Sequence, residues 1–143
     1  MAELTLEQAQ TIVKTALGHA QANTFNAIAI VVLDARGALK ASASQDGVSL
    51  MRWKVAFAKA YGAVAWGTGS KKIEKLAADR PAFFSAVAHL PEAGILPVGG
   101  GVLIRGADNA ILGSVGISGD TSDNDEMAAA KGIEAAGLMA DGG

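Results

Sequence analysis

The chain has 143 residues, half of them hydrophobic and 18% charged, with a formal net charge of -2. It holds no cysteine, which removes disulfides, thiolate catalysis and Cys-based metal sites, and it has no Lys/Arg run of the kind that tracks a nucleic-acid backbone. The length predicts one domain over residues 1–143, and so large an apolar share beside so little charge predicts that part of the surface is buried between copies of the chain.

The opening MAELTLEQAQ runs into a helix pattern without a basic start followed by an apolar stretch. No apolar stretch reaches membrane-spanning length unbroken, so the expectation is a cytoplasmic protein with no membrane association. Thr5 with Gln8 forms a capping box. Leu6, Ala9, Ile12, Val13, Ala16, Leu17 and Ala20 then share a stripe at helical spacing, and Asn23 is the stop. His19 lies at the edge of that stripe. It reads either as a half-exposed surface histidine or as a ligand or proton carrier at an interface.

Residues 27–33, AIAIVVL, predict a strand covered on both faces. Asp34-Ala35-Arg36-Gly37 predicts a hairpin turn. Residues 38–44 return as a strand of small side chains, against a close helix or a cavity. After the Asp46-Gly47 corner, Ser49 or Asp46 caps the longest helix, over 50–66. Leu50, Trp53, Phe57, Ala60, Tyr61 and Val64 share one face, read as a core face or in part as the wall of an apolar ligand pocket. Lys59, between Phe57 and Tyr61, either meets a carboxylate ligand or lays its stem on the surface with its head in water. Gly67-Thr68-Gly69 ends this helix, Ser70 caps another over 71–78, and Pro81 starts a short one through Phe84 and Val87. Residues 89–92 form a loop. His89 has no second histidine or carboxylate at ligand spacing, so no metal site is expected.

The densest signal lies in residues 95–126. Runs at 102–105 and 111–118 are strands separated by the hairpin signal of residues 106–109, and a further short strand is possible at 95–98. The first is entered through Gly99, Gly100 and Gly101, and the second leaves through Ser118-Gly119-Asp120. Glycine-dense corners at strand ends admit a ligand or another backbone closely. The glycines are not a phosphate loop, because the Gly-Lys-Ser/Thr ending is missing. Ser122 with Asp125 reads as a variant capping box for a last helix over about 123–139. Its inward face is Ala129, Ala130, Ile133, Ala136 and Gly137, and a frayed Gly-Gly tail follows. Asp120, Asp123, Asp125 and Glu126 do not fit calcium-loop spacing; they cap the helix or bind a ligand. The order predicts an α+β domain with an antiparallel sheet packed by helices.

The ordered set LDARGAL at 33–39, Asp46-Gly47, Ala56 with Lys59-Ala60, Gly100-Gly101-Val102, GSVGISG at 113–119 and SDNDE at 122–126 resembles the GlcG/HbpS-type haem-binding family. That family includes the C-terminal domain of the PduO corrinoid adenosyltransferases. The resemblance implies a profilin-like α/β/α sandwich with an antiparallel sheet of about five strands. It also implies homo-oligomers and haem binding, with some members described as haem-degrading and others placed beside catabolic enzymes. Leu103 stands where the family usually has proline, and Gly99 adds a third glycine. Haem needs an imidazole, thioether or phenolate near an apolar slot. The candidates are His19, then His89 and Met51, with Tyr61, Gly100 and Gly101 in the cofactor-binding set. The alternative is a small-molecule enzyme or accessory protein acting on a small organic acid at the glycine corners, through Lys59, Ser118, Asp120 and Glu126, with Arg105 as a second candidate cation. A pure assembly module is the third reading, so enzymatic activity stays open.

Overall fold

The structure, a computed structural model, describes residues 2–91 and 94–143. Helix α1 (Leu6–Ala22) opens with the expected capping box. Thr5 Oγ1 accepts from the Gln8 N–H at 3.0 Å, Gln8 Oε1 accepts from the Thr5 N–H at 3.0 Å, and the helix closes at Asn23. Strands β1 (Ala29–Asp34) and β2 (Leu39–Ser44) form the expected hairpin, with the Asp34 carboxylate accepting from the N–H groups of Arg36 and Ala38. Then come α2 (Arg52–Trp66), α3 (Ser70–Asp79), α4 (Pro81–Val87), β3 (Gly101–Arg105), β4 (Ile111–Ser118), α5 (Ser122–Ala135) and β5 (Met139–Asp141). The five strands make one antiparallel sheet in the order β2-β1-β4-β3-β5. This is an α+β fold.

Strand alternation sorts the core. Ile30, Val32, Val102, Ile104, Val115 and Ile117 point to one face, where α1 and α5 cover them with Ile12, Ala16, Ala129 and Ile133. Ala29, Val31 and Leu33 point to the other face, under Ala56 and Ala60 of α2. On that second face β4 offers only Ser114, Gly116 and Ser118. A Cβ on Gly116 would overlap the Ala56 carbonyl, and one on Gly101 would overlap the Lys59 carbonyl. Ser114 Oγ donates to the Ala60 carbonyl at 2.6 Å. The backbone of α2 therefore rests on the sheet, which only small residues on both sides permit.

That close seating corrects the aromatic-stripe expectation. The buried face of α2 includes Ala56, Lys59, Ala60 and Ala63. Phe57 and Tyr61 stack with centroids 6.2 Å apart on its half-buried flank, and Trp53 and Leu50 are exposed. Other local expectations shift as well. Helix α2 starts at Arg52 with no side-chain cap from Ser49 or Asp46. Ser70 lies inside α3 and accepts from the Gly101 N–H at 2.7 Å instead of capping. Thr121, not Ser122, caps α5 by accepting from the Asn124 N–H. Residues 95–98 form no strand. Helix α5 stops at Ala135, Gly137 turns with φ 79°, and the chain pairs with β3 as β5 instead of continuing as helix. Its most buried residues are Asp125, Ala128, Ala129, Gly132 and Ile133, so the expected face is rotated. The tail is held, since the Gly142 carbonyl accepts from the Lys71 N–H at 3.3 Å. Of the expected loop at 89–92, Glu92 lies outside the described residues.

Candidate functional site

Two regions hold the candidate side chains. The first is the end of the sheet where β3 begins and β4 leaves. Lys59 projects from α2, 3% exposed, and its Nζ donates to the Ile117 carbonyl at 2.9 Å and lies 3.4 Å from Asp125 Oδ2. Asp125 projects from α5 on the opposite face, and its Oδ1 accepts from the Asp120 N–H at 3.1 Å. The ion pair thus ties the two helical layers together around the sheet end. Gly100 makes room for it: at φ 113° the chain needs glycine, and a Cβ would stand 2.8 Å from Lys59 Nζ. Arg52 Nη1 donates to the buried Ser118 Oγ at 3.1 Å. Asp120 accepts from the Asn26 N–H at 2.8 Å and from Asn124 Nδ2 at 2.6 Å.

Burial pushes the Lys59 ammonium below its ordinary pKa, against the attraction of Asp125. Burial pushes the Asp125 carboxyl up, against the attraction of Lys59 and the hydrogen bond from Asp120. Both shifts favour the neutral forms. Asp120 moves the other way, because the hydrogen bonds from Asn124 and Asn26 hold its carboxyl below the usual range. Lys59, Ser118, Asp120, Gly100 and Gly101 are therefore brought together, but their polar groups meet one another. The carboxylate that Lys59 meets belongs to its own chain. Glu126 joins a different contact: its Oε2 lies 3.5 Å from Lys71 Nζ, and its Oε1 is buried against Gly142. Arg105 pairs with Asp141 of β5 at 2.9 Å.

The second region lies on the outer side of α1. His19 packs edge-on against Phe25 with centroids 5.6 Å apart, and its Nδ1 lies 3.4 Å from Asn23 Nδ2. Its Nε2 is shielded from solvent and has no hydrogen-bond partner. Among the described residues only Glu126 Oε1 shares that condition. His19 borders an open recess of about 680 Å³ with Thr11, Lys14, Thr15, Gly18 and Lys131. The remaining cofactor candidates stand elsewhere. Met51 is exposed at the start of α2, His89 is exposed in the turn after α4, and Tyr61 lies against Gly37. Sequence reasoning missed Arg52 and the pairing of Lys59 with Asp125, which rests on a contact 66 residues apart. It also passed over Gly18 and the lysines beside His19. A glycine inside a strongly patterned helix was the signal available there.

The family model described as "Haem degrading protein HbpS-like" matches residues 4–134. The chain belongs to the HbpS-like family. No curated protein sequence matches it. Its fold is similar to the crystal structure of a PduOC–haem complex, at 23% identity over 96% of this chain and 97% of that one, with a TM-score of 0.84. It is also similar to a double mutant of HbpS from Streptomyces reticuli, at 26% identity over 94% and 87% of the two chains, TM-score 0.81. A third likeness is to protein ORFY of Klebsiella pneumoniae, at 20% identity over 96% and 93%, TM-score 0.85. The glycine-rich stretches of this HbpS-like chain form the sheet end, while His19 stands on α1, in the same helical layer as α5. No helix is long and apolar enough to cross a membrane among the described residues.

Proposed function

We propose that this HbpS-like chain binds haem, through His19, as a cytoplasmic homo-oligomer. The observation that carries the reading is the His19 Nε2, a buried ring nitrogen without a partner. Leaving such an atom unpaired costs about 1–3 kcal/mol, and an iron centre is a partner to which an imidazole lone pair donates. His19 supplies an imidazole of the kind that the group named in the family description takes, and because Nε2 is shielded from solvent the ring must turn to present it. His19 would hold the iron, and Lys14 and Lys131 stand beside it. When bound, haem supplies one-electron and dioxygen chemistry. The chain's share is to bind it, to orient it and to exclude competing ligands. Ligation at Nε2 requires the proton on Nδ1, whereas Asn23 Nδ2, an amide donor 3.4 Å from Nδ1, favours a bare Nδ1, so that contact must turn away on binding. Self-association is supported by Leu50, Met51, Trp53 and Leu39, large apolar side chains left exposed on one chain.

The test is a haemin titration followed by absorbance, with size-exclusion chromatography of the same samples. A saturable Soret band at one haem per one or two subunits is expected, and His19→Ala should abolish it. A band unchanged in that variant removes His19 and passes the role to Met51 or His89. A spectrum that only tracks free haemin ends the haem reading.

A further inference from the structure

The two faces of the sheet are covered unequally. On one face the helical layer reaches the edge strand β2, whose Ala41 and Ala43 pack into the core. On the other face α2 is centred on β4. Its Ala56 and Ala60 reach β1 on one side, and its Lys59 carbonyl lies against Gly101 of β3 on the other. It leaves β2 bare. Ser42 and Ser44 pair with Val31 and Ala29, and Leu39 pairs with Leu33, so all three share the α2 face. Ser42 and Ser44 are exposed, and Leu39 is 58% exposed. The edge strand lies two strands from β4, a distance of about 10 Å. Packed helices stand about 8–10 Å apart, so this ledge has the width of one further helix laid against the flank of α2.

That flank carries an apolar stripe. Leu50, in the turn leading into α2, is 82% exposed and Trp53 45%, while Phe57, Tyr61 and Val64 are half-buried. Phe57 and Tyr61 pack against the β1 residues Ala29, Val31 and Leu33, and Tyr61 lies against Gly37 of the β1–β2 turn, which puts the stripe on the β2 side of the helix. Its spacing is symmetric. Leu50, Trp53, Phe57, Tyr61 and Val64 follow at intervals of three, four, four and three residues, aromatic at the centre and aliphatic at both ends. A two-fold axis at Phe57 sets Trp53 against the partner's Tyr61 and Leu50 against the partner's Val64. The charges fit the same operator. The exposed cations Arg52 and Lys54 stand in the N-terminal half of α2, and residues 60–66 carry no charge. An antiparallel partner therefore brings no like charge opposite them, whereas a parallel one would set lysine against lysine.

We propose that the α2 stripe and the β2 ledge form the contact between two copies of this chain, with the α2 helices antiparallel about Phe57 and each lying over the other's β2 strand. The inference rests on the self-association part of the proposed function and is independent of haem. One isologous contact covers both stripes and both ledges together.

The chain holds no cysteine, so single introduced thiols read the geometry directly. Phe57→Cys should give a disulfide-linked dimer on mild oxidation, since a disulfide needs Cα atoms within about 7 Å. Trp53→Cys and Tyr61→Cys should cross-link when mixed and hardly at all when each is oxidised alone. Leu50→Glu/Trp53→Glu, two changes at exposed positions, should weaken self-association in sedimentation equilibrium by more than about tenfold with helix content unchanged. Ser42→Arg should do the same from the ledge. A wild-type chain that sediments as a single copy overturns the self-association reading and the inference together. A wild-type oligomer that neither Leu50→Glu/Trp53→Glu nor Ser42→Arg weakens overturns the inference alone. Cross-linking of Trp53→Cys with itself as strong as in the mixture also overturns it, because it sets the helices parallel, and so does a mixture that forms no cross-link.

Discussion

The sheet end and the outer side of α1 hold two basic side chains, Lys59 and His19, and treat them in opposite ways. At the sheet end Lys59 is enclosed, and it meets the Ile117 carbonyl and the Asp125 carboxylate. On α1 His19 keeps Nε2 without a partner and shielded from solvent, while the residue borders an open recess. Gly101 and Gly116 at the sheet are demanded by contact, and Gly18 on α1 by none. The lesson is that satisfied polar groups and sterically required glycines mark architecture. On α1 the unpaired His19 Nε2 stands beside Gly18, a glycine that no contact within the chain requires. The motif-rich stretch that looks most like a site has its polar groups paired within the chain.

The comparison predicts a split between stability and binding. Asp125→Ala should show the largest stability loss, about 3–5 kcal/mol, because it strands a buried ammonium. Chemical denaturation reads it directly, and a loss below about 1 kcal/mol would remove the ion pair from the account. The double variant Lys59→Met/Asp125→Leu should recover most of that loss, since two apolar side chains replace a pair that is costly to desolvate. Gly116→Ala comes next, at about 3 kcal/mol, as its Cβ would force α2 off the sheet. His19→Ala should change the denaturation midpoint little, because it removes an unpaired nitrogen, yet abolish the Soret band.

The smallest effect concerns acid. Asp120 has its carboxyl depressed by its hydrogen bonds, so its contribution is present above the ordinary value of 3.8 and is lost as pH falls through the folded value. Asp125 is raised, so the folded state holds its proton longer and stability falls as pH climbs from 3.8 to the folded value. The two acids oppose each other on the acid side. Melting curves of Asp120→Asn and the wild-type chain should therefore differ slightly at neutral pH and converge in acid. A gap that persists to pH 2 contradicts the assignment.

Much of the fold was legible where a local rule decides the outcome. Thr5 and Gln8 can reach only each other's backbone. The apolar, β-branched runs of β1 and β4 read as strands buried inside a sheet. Pro81 can stand only at a helix start. Errors came where a local rule had a competitor elsewhere in the chain. Ser70 has the chemistry of a cap, but its hydroxyl is taken by the Gly101 N–H. The aromatic residues of α2 have the hydrophobicity of a core stripe. The sheet beneath is paved with glycine and serine, so the alanine face fits closer. The last three-residue strand carries no pattern of its own, and β3 recruits it as an edge partner.

Sequence alone determined the order of the elements from α1 to α5, the hairpins, the helix starts that proline and the Thr5 box set, and the family resemblance, because each depends on residues a few positions apart or on their order. The tertiary structure decided which polar groups are satisfied. Lys59 and Asp125 stand 66 positions apart on opposite faces of the sheet, and only the folded chain brings them to 3.4 Å. Only the folded chain, likewise, leaves His19 Nε2 with no partner. Burial and hydrogen-bond accounting are properties of the whole packing, and no local spacing encodes them.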